Sequence, residues 1–147
     1  MEISMKRFSV ATATVLVALS SSIASGLVLH GRWTGMVMGK DNSKIHGTAT
    51  MKSGKNNTTE VVVKLKGDTP STTRPWHIHV GSCTSAGAPL GGGKPYTPMV
   101  GNAKGAAQGK ATLALPLPDT GSDYVNIHES SANMGKIVAC GDLKADK

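Results

Sequence analysis

The sequence predicts an all-β domain, built as an antiparallel sandwich or barrel. Three observations favour this class: runs rich in β-branched residues, alternation of apolar and polar residues, and frequent turn-forming clusters of Gly, Pro, Asn and Ser. Helix signals are scarce. Aromatic residues make up only 3% of the chain, so Val, Ile, Leu, Ala and Met must form most of the core. With 147 residues, the chain is long enough for one domain with a hydrophobic core.

Five segments carry these strand signals, and turn clusters separate them. The segment EVVVKLKG begins at Glu60 and stops at a Gly-Asp pair. The segment KIHGTATM alternates between a polar face and a second face formed by Ile45, Gly47, Ala49 and Met51. KATLALPL, YVNIHES and KIVACGDL complete the set. The stretch 86–105 has no clear strand and is long for a hairpin loop, so we expect it to be functional or mobile.

The first 24 residues have the pattern of an export signal. Lys6 and Arg7 precede the apolar run VATATVLVAL, and the small residues of SSSIASG follow, so we expect cleavage after Ala24. The apolar run is short for a membrane span, which leaves a retained N-terminal anchor as the alternative. We therefore predict a signal peptide at 1–24, one domain at 25–147, and a periplasmic or secreted location without stable membrane insertion after cleavage.

The chain is basic, with a formal net charge of +7, but its charges are scattered. It contains no run of Lys or Arg, and aromatic side chains that could stack on bases are nearly absent. This pattern argues against nucleic-acid binding. A diffuse positive field would instead favour a small anionic substrate.

The segment RPWHIHVGSCTSAG contains the strongest sign of chemistry. Side chains alternate along a strand, so His77 and His79 share one face while their apolar neighbours share the other. His128 follows the same logic on the polar face of YVNIHES. Imidazole is a good ligand for copper and zinc, and three imidazoles on converging strands would form a compact metal site. The alternative is a set of exposed strand histidines that bind nothing.

The chain has two cysteines, Cys83 and Cys140. In an exported protein an even pair most simply forms a disulfide, which here would close a long loop. The chain-entropy relation assigns such a bridge about 4 kcal/mol. Two thiolates in a metal site are the alternative, in a reducing or metal-filled setting.

Four motifs follow one another along the chain: HIHVGSCTSAG, GNAKGAAQGKATLALPL, NIHESSANMGK and VACGDL. Together they resemble the copper–zinc superoxide dismutases, in which a His-x-His copper pair precedes a Cys-Thr-Ser-Ala-Gly loop, and a later histidine strand precedes an active-site loop and a C-terminal Ala-Cys-Gly segment. The similarity spans residues 46–143. It implies an eight-stranded Greek-key β-barrel or sandwich of the immunoglobulin-like kind and a Cys83–Cys140 disulfide. It also implies His77, His79 and His128 as copper ligands and catalytic residues.

The chain departs from the family pattern at the zinc site and at the site that attracts the anion. No histidine occurs between the two copper motifs, so the histidine that bridges copper and zinc is missing, as is the zinc aspartate. The family aspartate after the third copper histidine is Ala132 here, and the family arginine that guides the anion is Ile137. The resemblance therefore implies one copper per chain, no zinc, and Glu129 and Lys136 as accessory groups.

The remaining histidines and several methionines have ordinary explanations. His46 lies on the polar face of its segment. His30 lies near Met36, Met38 and Met51, where core packing explains most methionines and a soft Met/His copper site is the alternative.

Three functions agree with these observations. The first is a dismutase in which copper carries the electron transfer and converts superoxide to oxygen and hydrogen peroxide. The second is a periplasmic copper carrier or buffer on the same fold, and the third is a scaffold whose histidines are relics. A three-histidine zinc hydrolase is a weaker alternative, because Glu129 is the one evident general base. We expect superoxide or the copper ion as partner, with a homodimer as an open alternative to a monomer.

Overall fold

The computed structural model describes residues 31–146; the predicted signal peptide and His30 lie outside this range. Nine strands run through the described residues: β1 Arg32–Gly39, β2 His46–Ser53, β3 Thr59–Lys66, β4 Thr73–Arg74, β5 Trp76–Val80, β6 Met99–Val100, β7 Ala107–Leu113, β8 Asp123–Ser130 and β9 Asn133–Ala145. A single 3-10 turn, Lys55–Asn57, separates β2 from β3. Within this part of the chain, no helix has the length and apolar character needed to cross a membrane.

Seven strands form one antiparallel sheet that curls nearly into a barrel, in the order β5-β8-β9-β1-β2-β3-β7. The short strands β4 and β6 pair separately. The all-β prediction is therefore confirmed, and each of the five predicted segments overlaps a strand of the main sheet. Two details differ from expectation. Strand β1 carried no clear signal, and the main sheet has seven strands where the family resemblance implied eight.

Alternation along the strands builds the core. On β3 the side chains of Val61, Val63 and Leu65 point inward and are at most 2% exposed. On β2 the residues Ala49 and Met51 are buried, as the predicted apolar face requires, while His46 is exposed. The pleat sends successive side chains to opposite faces, so every inward residue leaves its neighbours on the outer surface.

The two edge strands of the sheet, β5 and β7, pack against each other at Trp76. Trp76 of β5 is fully buried, and its indole N–H donates to the carbonyl of Thr97 at 2.9 Å. Gly109 on β7 provides the space for this ring, since a Cβ at that position would lie 2.6 Å from the indole. The packing fixes β5, the strand that carries two histidines, against the far edge of the sheet.

Candidate metal centre

The predicted histidine face of β5 is present. Trp76 and Ile78 point into the core and are fully buried, so His77 and His79 point outward on the opposite face. His79 is nevertheless only 9% exposed, and His77 is half-buried, because the 86–105 stretch packs over this face.

His128 joins this pair because β8 is the neighbour of β5 in the sheet. Trp76 is paired with Ile127, which places His128 just beyond the paired residues, and the His128 N–H donates to the Pro75 carbonyl at 2.9 Å. A bulge in the β8–β9 pairing occurs at His128. Bulges of this kind often re-aim a side chain beside a functional site.

The three imidazoles converge on one point. One ring nitrogen from each of His77, His79 and His128 lies within 4.8 Å of the other two. The ring centroids of His77 and His128 are 5.1 Å apart, and those of His79 and His128 are 6.3 Å apart. The prediction that these residues come together is confirmed, and their spacing is compact enough for one metal ion.

For two of the three rings, a backbone carbonyl determines which nitrogen is available to a metal ion. The Nδ1–H of His79 donates to the Gly87 carbonyl at 2.9 Å, and the Nδ1–H of His128 donates to the Met134 carbonyl at 2.6 Å. A carbonyl only accepts, so the neutral ring keeps its lone pair on Nε2 in both cases. The other ring nitrogen of a metal-binding histidine commonly makes such a bond.

Two features of the nitrogen atoms suit the binding of a metal ion. The Nε2 atom of His79 is buried and has no hydrogen-bond partner. His77 directs Nδ1 at the Nε2 atom of His128, at 3.1 Å. A metal ion at the centre would accept all three lone pairs, so the donor set fits copper or zinc.

Burial keeps the imidazoles of His77 and His128 neutral near pH 7. Desolvation, with smaller contributions from the His128 and His79 rings, lowers the pKa of His77 to about 4. Burial also lowers the pKa of His128, against the opposing effect of the Met134 carbonyl. Neutral imidazole is the metal-binding form, so these two ligands need not lose a proton near neutral pH.

A disulfide and a tight loop hold the His79 side of the centre. The predicted bond between Cys83 and Cys140 is present, and it joins the loop after β5 to β9. Gly87 then returns alongside β5, where a Cβ would lie 1.9 Å from the Val80 carbonyl oxygen, so no other residue fits. Its carbonyl is the acceptor for His79.

Two tyrosines support the imidazoles. Tyr124 on β8 stacks on His79, with centroids 5.2 Å apart, and its hydroxyl accepts the Gly87 N–H at 3.3 Å. The rings of Tyr96 and His77 meet in a T-shaped arrangement with centroids 5.2 Å apart, and the Tyr96 hydroxyl donates to the Leu90 carbonyl at 2.6 Å. The sequence pattern placed Tyr124 on the polar face of its segment, but the contact made by Tyr96 depends on the fold of the 86–105 stretch.

A buried ion pair, which the sequence did not predict, is hydrogen-bonded to the residue that follows His128. The guanidinium of Arg74 binds both carboxylate oxygens of Asp68, at 2.6 and 2.8 Å, and also donates to the Glu129 carbonyl at 2.7 Å. Burial alone would raise the pKa of Asp68, but hydrogen bonds from Arg74, Thr72 and the Thr69 N–H hold it below its ordinary value. The bond from Arg74 to the Glu129 carbonyl therefore holds the backbone directly after His128, a candidate ligand.

The predicted accessory groups pair with each other at the surface. The ammonium group of Lys136 contacts the Glu129 carboxylate, which also accepts a bond from Asn133. These bonds lower the pKa of Glu129. Only Ser131 and Ala132 separate β8 from β9, so a two-residue turn stands where the family resemblance implied an active-site loop. Ile137 is half-buried on β9 beside Lys136.

Comparison with protein-family models and with curated proteins found no match to this chain.

Proposed function

We propose that this chain is an exported, superoxide-dismutase-like copper protein with His77, His79 and His128 as the copper ligands. The observation that carries the proposal is the convergence of three ring nitrogens within 4.8 Å, two of them selected by backbone carbonyls. The order of motifs along the chain supports copper over other metals that accept imidazole.

The reaction that we assign to the centre is the dismutation of superoxide. Bound copper supplies one-electron chemistry, so that two superoxide ions and two protons yield one oxygen and one hydrogen peroxide molecule. The protein supplies preorganised ligands: the carbonyls of Gly87 and Met134 hold the rings of His79 and His128.

Charge near the centre limits the expected rate. The family position for an anion-guiding arginine holds Ile137, and the neighbouring Lys136 is engaged by Glu129. Lys136 is 51% exposed, so it still adds to a positive field at the surface. Salt screens distant charges over about 8–10 Å, so the scattered positive charge of the mature chain replaces a local arginine only in part. We therefore expect dismutation well below the diffusion limit.

A copper carrier or buffer is the second candidate function. Two observations favour it: the apolar Ile137 in place of the arginine, and a buried His79 Nε2 that suits tight binding more than open access. Zinc is not expected in either function, because the bridging histidine and the zinc aspartate of the family pattern are missing.

The fold and the location of the protein extend this proposal. The connections from β3 to β5 and from β7 to β8 cross to the opposite side of the sheet, which supports a Greek-key barrel of the dismutase type. A disulfide is typical of a non-reducing compartment, which supports a periplasmic or secreted protein.

The test is pulse radiolysis of the copper-loaded mature protein at several ionic strengths. We expect superoxide decay above that of free copper, slowed by salt and abolished in His128→Ala. Thr112→Ala is the control, since Thr112 is an exposed polar residue of β7 outside the centre. No activity above free copper, together with tight Cu(II) retention that depends on His128, would favour the carrier. Copper retention that is unchanged in His77→Ala and His128→Ala would refute both functions.

A further inference from the structure

Two methionines lie exposed side by side on the outer face of β1. Met36 is 64% exposed and Met38 is 59% exposed. Residues two apart on a strand share a face, so the two thioethers lie on the same surface. Both line a groove of about 760 Å³ that the Cys83–Cys140 disulfide borders. Two adjacent exposed thioethers beside a groove make this face a candidate binding surface.

The strand register brings a histidine to this pair. Met38 is paired with His46 on β2 and with Cys140 on β9. Directly opposed residues of antiparallel strands have Cβ atoms about 4.5–5.5 Å apart on one face. The methionine side chain has three rotatable bonds, so its sulfur can approach the imidazole of a paired residue.

The Nδ1 side of the His46 ring faces the Lys44 carbonyl and Gly67, so Nε2 is the nitrogen left for a ligand. The Nδ1–H donates to the Lys44 carbonyl at 3.0 Å, which leaves the lone pair on Nε2 in the neutral ring. His79 and His128 carry the same kind of bond to a carbonyl. The charged groups nearby are mostly cationic: Arg32 and Lys144 line the groove beside Asp142, and Lys66 is paired with His46 from β3. A monovalent cation is therefore repelled less here than a divalent one.

We propose that Met36, Met38 and His46 form a second metal site, selective for cuprous copper. Thioether sulfur is a soft donor and prefers Cu(I) over Cu(II) or zinc, and imidazole accepts either copper state. The site is separate from the histidine centre. Three strand spacings, about 14 Å, lie between Met38 on β1 and His77 on β5.

The sequence expectation for a soft site near these methionines is corrected in one respect. The sequence lists Met51 with Met36 and Met38 as a possible donor, but Met51 points inward on β2 and is fully buried in the core. His46, for which the sequence predicts only a place on a polar face, is the residue paired with Met38.

The test is anaerobic Cu(I) titration of the mature, disulfide-bonded protein against the chelator bicinchoninate. Met36→Leu/Met38→Leu should lose one Cu(I) equivalent, or bind it at least tenfold more weakly, the range that even indirect ligand losses produce. His46→Ala should weaken the same equivalent. Cu(II) binding at the histidine centre should stay unchanged in these variants, so the two sites are scored separately.

Met99→Leu is the control for the substitution itself, because Met99 is buried on β6 and does not line the groove. Silver(I), a redox-inert substitute for Cu(I), should shift the methyl NMR signals of Met36 and Met38 and leave that of Met99 in place. Wild-type Cu(I) binding in the double leucine variant or in His46→Ala would overturn the proposal. So would a stable dimer in sedimentation that takes up no Cu(I) and dissociates in the double leucine variant.

Discussion

The buried ion pair between Asp68 and Arg74 offers the sharpest test of how this fold supports its centre. The two side chains are only 3% and 12% exposed, and two hydrogen bonds of 2.6 and 2.8 Å join them. Arg74→Met keeps the aliphatic volume but removes the guanidinium. The carboxylate of Asp68 would then retain only the Thr72 hydroxyl and the Thr69 N–H as donors.

Removing one partner of a buried pair costs about 3–5 kcal/mol, because it leaves a charge uncompensated. Urea denaturation of the metal-free, disulfide-bonded protein at pH 7 should show this as a lower midpoint at an unchanged slope. Arg32→Met is the matched control. The Arg32–Asp146 contact is 3.8 Å long with side chains 59% and 48% exposed, so we expect a loss below about 1 kcal/mol.

The effect should depend on pH with a fixed sign. In the native protein the pKa of Asp68 is lowered, so its contribution to stability is present above the ordinary value of 3.8 and is lost as the pH falls through the native pKa. In Arg74→Met, protonation of the Asp68 carboxyl removes the unfavourable free energy of burying an unpaired charge. The loss in unfolding free energy relative to the native protein should therefore be largest at pH 7 and become smaller toward pH 4.

A double-mutant cycle gives the result that would refute this reasoning. Asp68→Asn/Arg74→Met should cost much less than the sum of the single changes, because the buried charge is gone. Strict additivity, or a loss below 1 kcal/mol in Arg74→Met, would show that the pair is not coupled. Arg74 also donates to the Glu129 carbonyl, so Arg74→Met should lower Cu(II) affinity about tenfold. Unchanged affinity would show that the ion pair does not support the histidine centre.

Three further changes probe the loop, the bridge and the core. Gly87→Ala should displace the carbonyl that orients His79 and lower copper affinity more than tenfold, measured by chelator competition; Gly135→Ala, where a Cβ meets open space, should leave it unchanged. Cys83→Ser should lower the free energy of unfolding by about 4 kcal/mol for a 57-residue separation, and a loss below 1 kcal/mol in urea denaturation would contradict the role of the bridge. Burial raises the pKa of Asp123, so between its ordinary value and its native pKa the folded protein binds more protons than the unfolded chain, and its contribution to stability falls as the pH rises through that range. Asp123→Asn should therefore be more stable than the native protein at pH 7 and equal to it at pH 3, as checked by calorimetry.

The sequence by itself determined the features that depend on neighbours along the chain. The alternation around Trp76 and Ile78 decides that His77 and His79 share one outward face, because the pleat has a period of two residues. The same rule placed Ala49 and Met51 in the core and His46 outside it. A chain with a single cysteine pair also leaves one intramolecular disulfide to form.

Only the tertiary structure decided which distant residues meet. His128 joins His77 because β8 pairs with β5, Arg74 supports His128 through the Glu129 carbonyl, and Met38 faces His46 because β1 and β2 share one register. Strand order and register come from pairings between segments far apart in sequence, which local alternation does not specify. The tertiary structure also decides which nitrogen of His79 and His128 is left for a metal ion, because that depends on carbonyls that the folded loops bring to the imidazoles.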